Sequence, residues 1–211
     1  MNLPAIILLI GLSYVVLLGL LSLMRREGFS WRVTLEATII TLAFSGLTEL
    51  TGWVIDPVIF LVILYLITMR VRLCIDVGNL FARQKKSTTA ERLYILAAKL
   101  GPDGATRLLI EINLGTLRVQ QGSIEEAIEM FTNVLDKASQ GHLGVKYEAA
   151  THYNLGQAYR RKNMEAQAIV EFNAVIDTWA GSEYARRAAL ILDQNRRKVQ
   201  PPPLDKDATS K

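Results

Sequence analysis

Residues 4–24, PAIILLIGLSYVVLLGLLSLM, run for 21 positions without a charged side chain. A helix needs about 20 apolar residues to cross the hydrocarbon layer of a bilayer. Such a run points to a membrane span. A cleaved secretion signal would have a basic start, a shorter apolar core and a small-residue cleavage site. Here no basic residue precedes the run, and Arg25-Arg26 follows it. The run is expected to stay as an anchor.

Two further apolar stretches follow, residues 33–50 and 54–69. Together they are too long for one span and just long enough for two. The segment between them, Glu49 to Pro57, carries turn signals. Asp56-Pro57 also suits a helix start, because the Asp carboxylate can cap free N–H groups and Pro fits the first helical position. Trp31 and Trp53 fall at the two expected interfaces of the second span.

Charge then sets the orientation. Residues 1–69 hold three Arg against four acids; the whole chain is +4, so residues 70–211 carry +5. The loop 25–32 has three Arg, and 70–86 has Arg70, Arg72, Arg83, Lys85 and Lys86. The N-terminal tip and the 49–56 turn have neither Lys nor Arg. Basic flanks stay in the cytoplasm. Three spans bring both basic flanks to one side, whereas two spans would separate them. The expectation is an integral membrane protein with its N-terminus outside, the remainder cytoplasmic, and the 70–86 segment near anionic lipid headgroups. Glu36, Glu49 and Asp56 sit within about a turn of predicted helix ends, and read as interfacial acids rather than an ion path.

The water-soluble part hides a period. Val77-Gly78, Leu114-Gly115 and Leu155-Gly156 align. Twelve residues after each glycine comes an alanine: Ala90, Ala127, Ala168. Four further on stands an aromatic, Tyr94, Phe131 or Phe172, and three beyond that a small or β-branched residue, Ala97, Val134 or Val175. Phe81 and Tyr159 follow two of the glycines by three; the middle copy has Arg118 there. Periods of this size mean stacked helix pairs. The glycine lets helix A of a pair approach helix B, with the alanine as its counterpart on B and the aromatics filling between neighbouring copies. Gly122-Ser123 and Asn163 mark the turns within pairs, and Ser87-Thr88-Thr89 does so in the first.

This pattern resembles the tetratricopeptide repeat over roughly residues 71–182. The separations are 37 and 41 residues against the usual 34; the excess falls in the helices or in the turns around 104–107 and 141–148. Cys74, Glu111 and His152 stand where the family has its early tryptophan. The expected fold is all-α: three transmembrane helices in residues 1–70, then a solenoid in 71–198 with repeats at about 71–104, 108–141 and 149–182. Ser182 opens a polar-faced capping helix, 183–198, of the kind that closes a repeat stack. The tail 199–211, with Pro201-Pro202-Pro203, reads as disordered. Helix A of the first repeat begins directly after the third span, so the two are expected to run on as one helix.

No P-loop, HExxH, GxSxG or dinucleotide-binding glycine run is present. Cys74 reads as a small apolar residue and cannot form an internal disulfide, and His142 and His152 lack metal-ligand spacing. Neither enzymatic activity, a cofactor nor a metal is expected. A net +5 over 142 residues, without aromatic–basic interleaving, does not predict nucleic-acid binding.

The resemblance implies a protein-binding groove lined by the A helices. Its inward positions include the residue two before each glycine (Asp76, Asn113, Asn154) and the residue after it (Asn79, Thr116, Gln157). Asparagine both donates and accepts, which suits a peptide backbone. The expected groove set is Asn79, Asn113, Asn154, Tyr153, Gln157 and Arg160; the alternative for Asn113 and Asn154 is a plain role in the Asn-Leu-Gly framework. The family's clamp for C-terminal carboxylates is matched only at Asn79 and Asn113: Ile75 and Ala150 stand where it has lysines, and Asn154 where it has arginine. Two functions follow as expectations. One is a membrane-tethered scaffold or assembly factor holding a partner protein, itself expected to be membrane-associated, in the groove. The other is a subunit of a larger membrane complex that interacts mainly through its transmembrane helices.

Overall fold

The computed structural model describes residues 2–24, 30–139 and 143–199. All regular structure among them is helical: α1 (Leu3–Met24), α2 (Trp31–Thr51), α3 (Pro57–Arg83), α4 (Ser87–Lys99), α5 (Gly104–Gln121), α6 (Ile124–Lys137), α7 (Val145–Arg161), α8 (Glu165–Thr178) and α9 (Glu183–Val199). Arg25, Arg26, His142 and the proline tail from residue 200 onward lie outside the described residues.

By length and composition, α1, α2 and α3 can each cross a membrane. Together they form a small bundle around Ile7, Tyr14, Ala37, Phe60 and Leu64. The bundle closes tightly where α1 meets α2, since a Cβ on Gly11 would lie 2.2 Å from the Thr41 side chain. Between helices in lipid, small residues of this kind let backbones pack directly. Buried hydroxyls find partners inside the bundle. Thr41 donates to the Ala37 carbonyl at 2.7 Å, and Tyr14 and Thr68 share a hydrogen bond of 2.6 Å. Asp56 caps α3 as expected, accepting from the N–H groups of Val58 and Ile59 at 2.8 and 3.3 Å.

α3 is one unbroken helix of 27 residues. Its first half belongs to the bundle; its second half is helix A of the first repeat. Pairs α3–α4, α5–α6 and α7–α8 are antiparallel hairpins, and α9 closes the stack. Ala90, Ala127, Ala168, Tyr94, Phe131, Phe172, Ala97, Val134 and Val175, the positions that carry the period, are all at most 1% exposed. α9 starts on a Ser182 cap, whose hydroxyl accepts from the Ala185 N–H at 2.9 Å. It buries Ala185, Ala188 and Leu192 against the third hairpin and leaves Arg186, Arg187, Arg196 and Arg197 exposed.

Three local readings change. The counterpart of each glycine is the aromatic of the same hairpin, not the alanine: a Cβ on Gly78, Gly115 or Gly156 would lie 2.6, 2.8 or 2.8 Å from the ring of Tyr94, Phe131 or Phe172. Each ring fills the notch in its own pair and also shares a core with the next element: Tyr94 with Ile110 and Leu117, Phe131 with Leu155, and Phe172 with Ala185 and Ala188. The first A–B turn is centred on Lys85, in the left-handed region at φ 61°, and Ser87-Thr88-Thr89 already belongs to α4. The other two turns lie as read, at Gly122 (φ 89°) and Asn163 (φ 60°).

Arg118, the departure from the aromatic pattern, joins hairpins instead. It donates to Glu91 on α4 at 2.7 Å and to Glu126 on α6 at 2.8 Å. The hydrogen bond to Glu91, then that to Glu126, pushes the guanidinium pKa up, and Arg118 holds the Glu91 carboxyl below its ordinary value.

A second tie fastens the repeats to the bundle. The Ser30 hydroxyl donates to Asp103, whose other carboxylate oxygen caps α5 by accepting from the Thr106 N–H at 2.7 Å. Arg70 reaches Glu36 at 2.8 and 3.1 Å and the Leu100 carbonyl at 3.4 Å. Arg32 also meets Glu36, at 3.2 Å. Arg32 and Arg70 therefore stand at one end of the bundle, and the capped start of α3 at the other.

Candidate partner-binding groove

The A helices α3, α5 and α7 line a groove of about 650 Å³, to which Tyr184 of α9 also contributes. The geometry follows from the glycine notches. Where helix B lies close to helix A, the opposite faces of successive A helices turn toward a common concave side.

The residues two before each glycine, Asp76, Asn113 and Asn154, all reach this lining, as do Asn79 and Thr116. Each asparagine uses part of its hydrogen-bonding capacity on the framework. Asn79 accepts from the Tyr94 hydroxyl at 2.7 Å. Asn113 donates to the Leu109 carbonyl of its own helix at 2.9 Å, and Asn154 donates to the Thr116 hydroxyl at 3.3 Å. A carboxamide has two N–H donors and an acceptor oxygen. Asn113 and Asn154 thus each keep a carbonyl and an N–H, and Asn79 keeps its two N–H groups. Burial pushes the Tyr94 phenol up to about 12, so it stays a donor to Asn79 at any ordinary pH.

Tyr153, Gln157 and Arg160 fall outside this lining. The Tyr153 ring packs 5.8 Å from Phe172 and 5.6 Å from Tyr184, in the core of the third hairpin and its cap. Gln157 donates to the Tyr153 hydroxyl at 2.9 Å. The Nε of Arg160 is buried without a hydrogen-bond partner among the described residues. The groove therefore gathers half of the residues expected in it.

Other groove residues had no counterpart in the sequence reading. Arg72 and Arg83 of α3 and Lys146 and Tyr147 of α7 line it, with Tyr65 and Met69 at the end toward the apolar bundle. Only the cations could have been found early, since Arg72 and Arg83 stand four and seven residues from Asp76 and Asn79 and so share their helix face or its flank. The rest depends on how far the hairpins rotate on one another. Elsewhere, Cys74 is half-buried against the core of the first hairpin. His152 is paired with Glu171 at 2.7 Å. Among the described residues no three His, Cys, Asp or Glu side chains come together as a metal site.

No family model matches the chain, and no curated protein matches it. Among solved structures it is similar to the N-terminal domain of stress-induced protein-1 (STI-1) from C. elegans. That match has a TM-score of 0.47 and 17% identity, over 60% of this chain and 97% of that one.

Proposed function

We propose that the chain is a membrane-tethered scaffold or assembly factor whose repeat groove holds a segment of a partner protein. Residues 1–70 would be the anchor and 71–198 the binding domain, with the N-terminus outside and the groove on the cytoplasmic side. The observation that carries this reading is the row Asn79, Asn113, Asn154. Three successive A helices present carboxamides to one concave surface, each with hydrogen-bonding capacity left over. That row suits a peptide backbone, which offers a donor and an acceptor at every residue.

The test is Asn113→Ala with Asn154→Ala in the full-length protein, read by affinity capture from native membranes. Binding should fall at least about tenfold, while each lost framework bond costs only about 0.5–1.5 kcal/mol of stability. Asn173→Ala is the control. It removes the same kind of bond, Nδ2 to the Ile169 carbonyl at 2.9 Å, from an exposed site away from the groove. Undiminished capture by the double variant would move the binding surface elsewhere, first of all to the transmembrane helices. The alternative, a complex subunit docking through those helices, draws on an open apolar furrow beside α1 and α3, lined by Leu9, Ile10, Ser13, Tyr14, Leu17 and Leu61.

A further inference from the structure

The groove does not end where the water-soluble part of the chain begins. Along α3 its lining runs from Tyr65 and Met69 through Arg72, Leu73 and Asp76 to Arg83. Tyr65 and Met69 precede Arg70, the first charged residue of that helix, and belong to its apolar half. At 1.5 Å per residue, Tyr65 to Arg83 covers about 27 Å of helix. Because α3 is unbroken, and because Asp103 and Leu100 are tied to Ser30 and Arg70, the repeats are held at a fixed height above the apolar bundle. The membrane end of the groove is aromatic and apolar. Beyond it α3 carries Arg72 and Arg83 on either side of Asp76, and Lys146, near the start of α7, adds a third cation to the lining.

A segment arriving from the cytosol has no reason to meet an apolar mouth at the level of the lipid. A segment leaving the bilayer alongside α3 meets Tyr65 and Met69 first and the cations afterwards. We propose that the groove's occupant is the juxtamembrane segment of a second integral membrane protein. It comprises the residues that directly follow one of that protein's spans, apolar at the start and acidic beyond. In extended form at about 3.3 Å per residue, the 27 Å is filled by about eight residues. Cationic lining selects the acidic stretch and speeds encounter. The apolar mouth sets the register, since it pairs with the end of the span. This inference rests on the groove and membrane readings above and names the partner class of the same site.

The experiment uses the full-length protein in its native membranes, with the photo-crosslinking residue benzoylphenylalanine at Leu73, at Gln120, or at exposed Leu190 on α9 as a control. Adducts are mapped by mass spectrometry. The expected adduct from Leu73 lies within about eight residues of the end of a span, in a stretch rich in Asp and Glu, and that from Gln120 lies further from the span on the same protein. Adducts to a soluble protein or to a segment remote from any span would overturn the juxtamembrane assignment while leaving a working groove; adducts to lipid alone would overturn both. Adducts from Leu190 but none from either groove position would overturn the groove itself. Reversing two cations, Arg83→Glu with Lys146→Glu, should lower the Leu73 adduct on the order of tenfold. An unchanged yield from that variant, with its melting temperature preserved, would remove the acidic character from the proposal.

Discussion

Gly78, Gly115 and Gly156 set how closely the helices of each hairpin approach, because the ring opposite leaves no room for a Cβ. Gly156→Leu must drive the Phe172 ring out of its notch or spread α7 from α8. Overpacking of this kind costs about 1–3 kcal/mol. Gly104 is the counter-case. It opens α5 with nothing within 4 Å of its virtual Cβ, so Gly104→Ala should stabilise by about 0.4–1 kcal/mol through the unfolded chain. Thermal melts of the full-length variants in one detergent check both signs; equal shifts for the two would mean the notch is not a tight contact. The glycines were legible from their spacing alone. Their true partner was not, since twelve and sixteen residues along the chain both lie on facing sides of helix B, and ring size decides which one fills the notch.

At the scale of elements, α3 and its link to α5 unite the two halves of the molecule. The continuity of α3 was readable: between Met69 and Arg83 no proline interrupts the helix, and the isolated Gly78 is tolerated. The tie through Asp103 was not readable, because Ser30 lies 73 residues away. Burial alone would push the Asp103 carboxyl up. The hydrogen bonds from Ser30 and Thr106 and the nearby Arg72 outweigh burial and hold it below the ordinary value of 3.8. A depressed folded pKa means the carboxylate contributes stability above 3.8, and this contribution fades as pH falls through the folded value. Asp103→Ala should cost about 1 kcal/mol at neutral pH, the usual worth of an N-cap. The gap between wild-type and variant melting temperatures should narrow as pH is lowered below 3.8. A gap that stays constant into that range would show that the charge of Asp103 adds nothing.

For the whole molecule, the ends of the bundle are distinguished by charge. Arg32 and Arg70 meet through Glu36 at one end, and Thr51, Trp53 and Asp56 lie at the other. The proposed orientation has the arginine end in the cytoplasm. In a Cys74→Ala background, a cysteine at Thr51 should react with an impermeant maleimide added to intact cells, and one at Ser139 only after lysis. Both residues are exposed, so access is not limited by burial. Labelling of Ser139 in intact cells would reverse or abolish the three-span topology.

Apolar run length and the recurrence of glycine, alanine and aromatic determined the helical class, the membrane-compatible segments and the hairpin register. These are local or periodic properties, written in order along the chain. The groove is different in kind. Asn79, Asn113 and Asn154 stand at fixed offsets from the repeated glycines and were readable as candidates, whereas on the same helix as Asn154 the Tyr153 ring packs against Phe172 and Tyr184 and Gln157 is held by the Tyr153 hydroxyl. Which face of α7 looks inward depends on the rotation of one hairpin on the next and on where α9 docks. Arg72, Arg83 and Lys146 enter the lining for the same reason. Contacts between residues far apart in sequence set those rotations, and only the folded packing decides them.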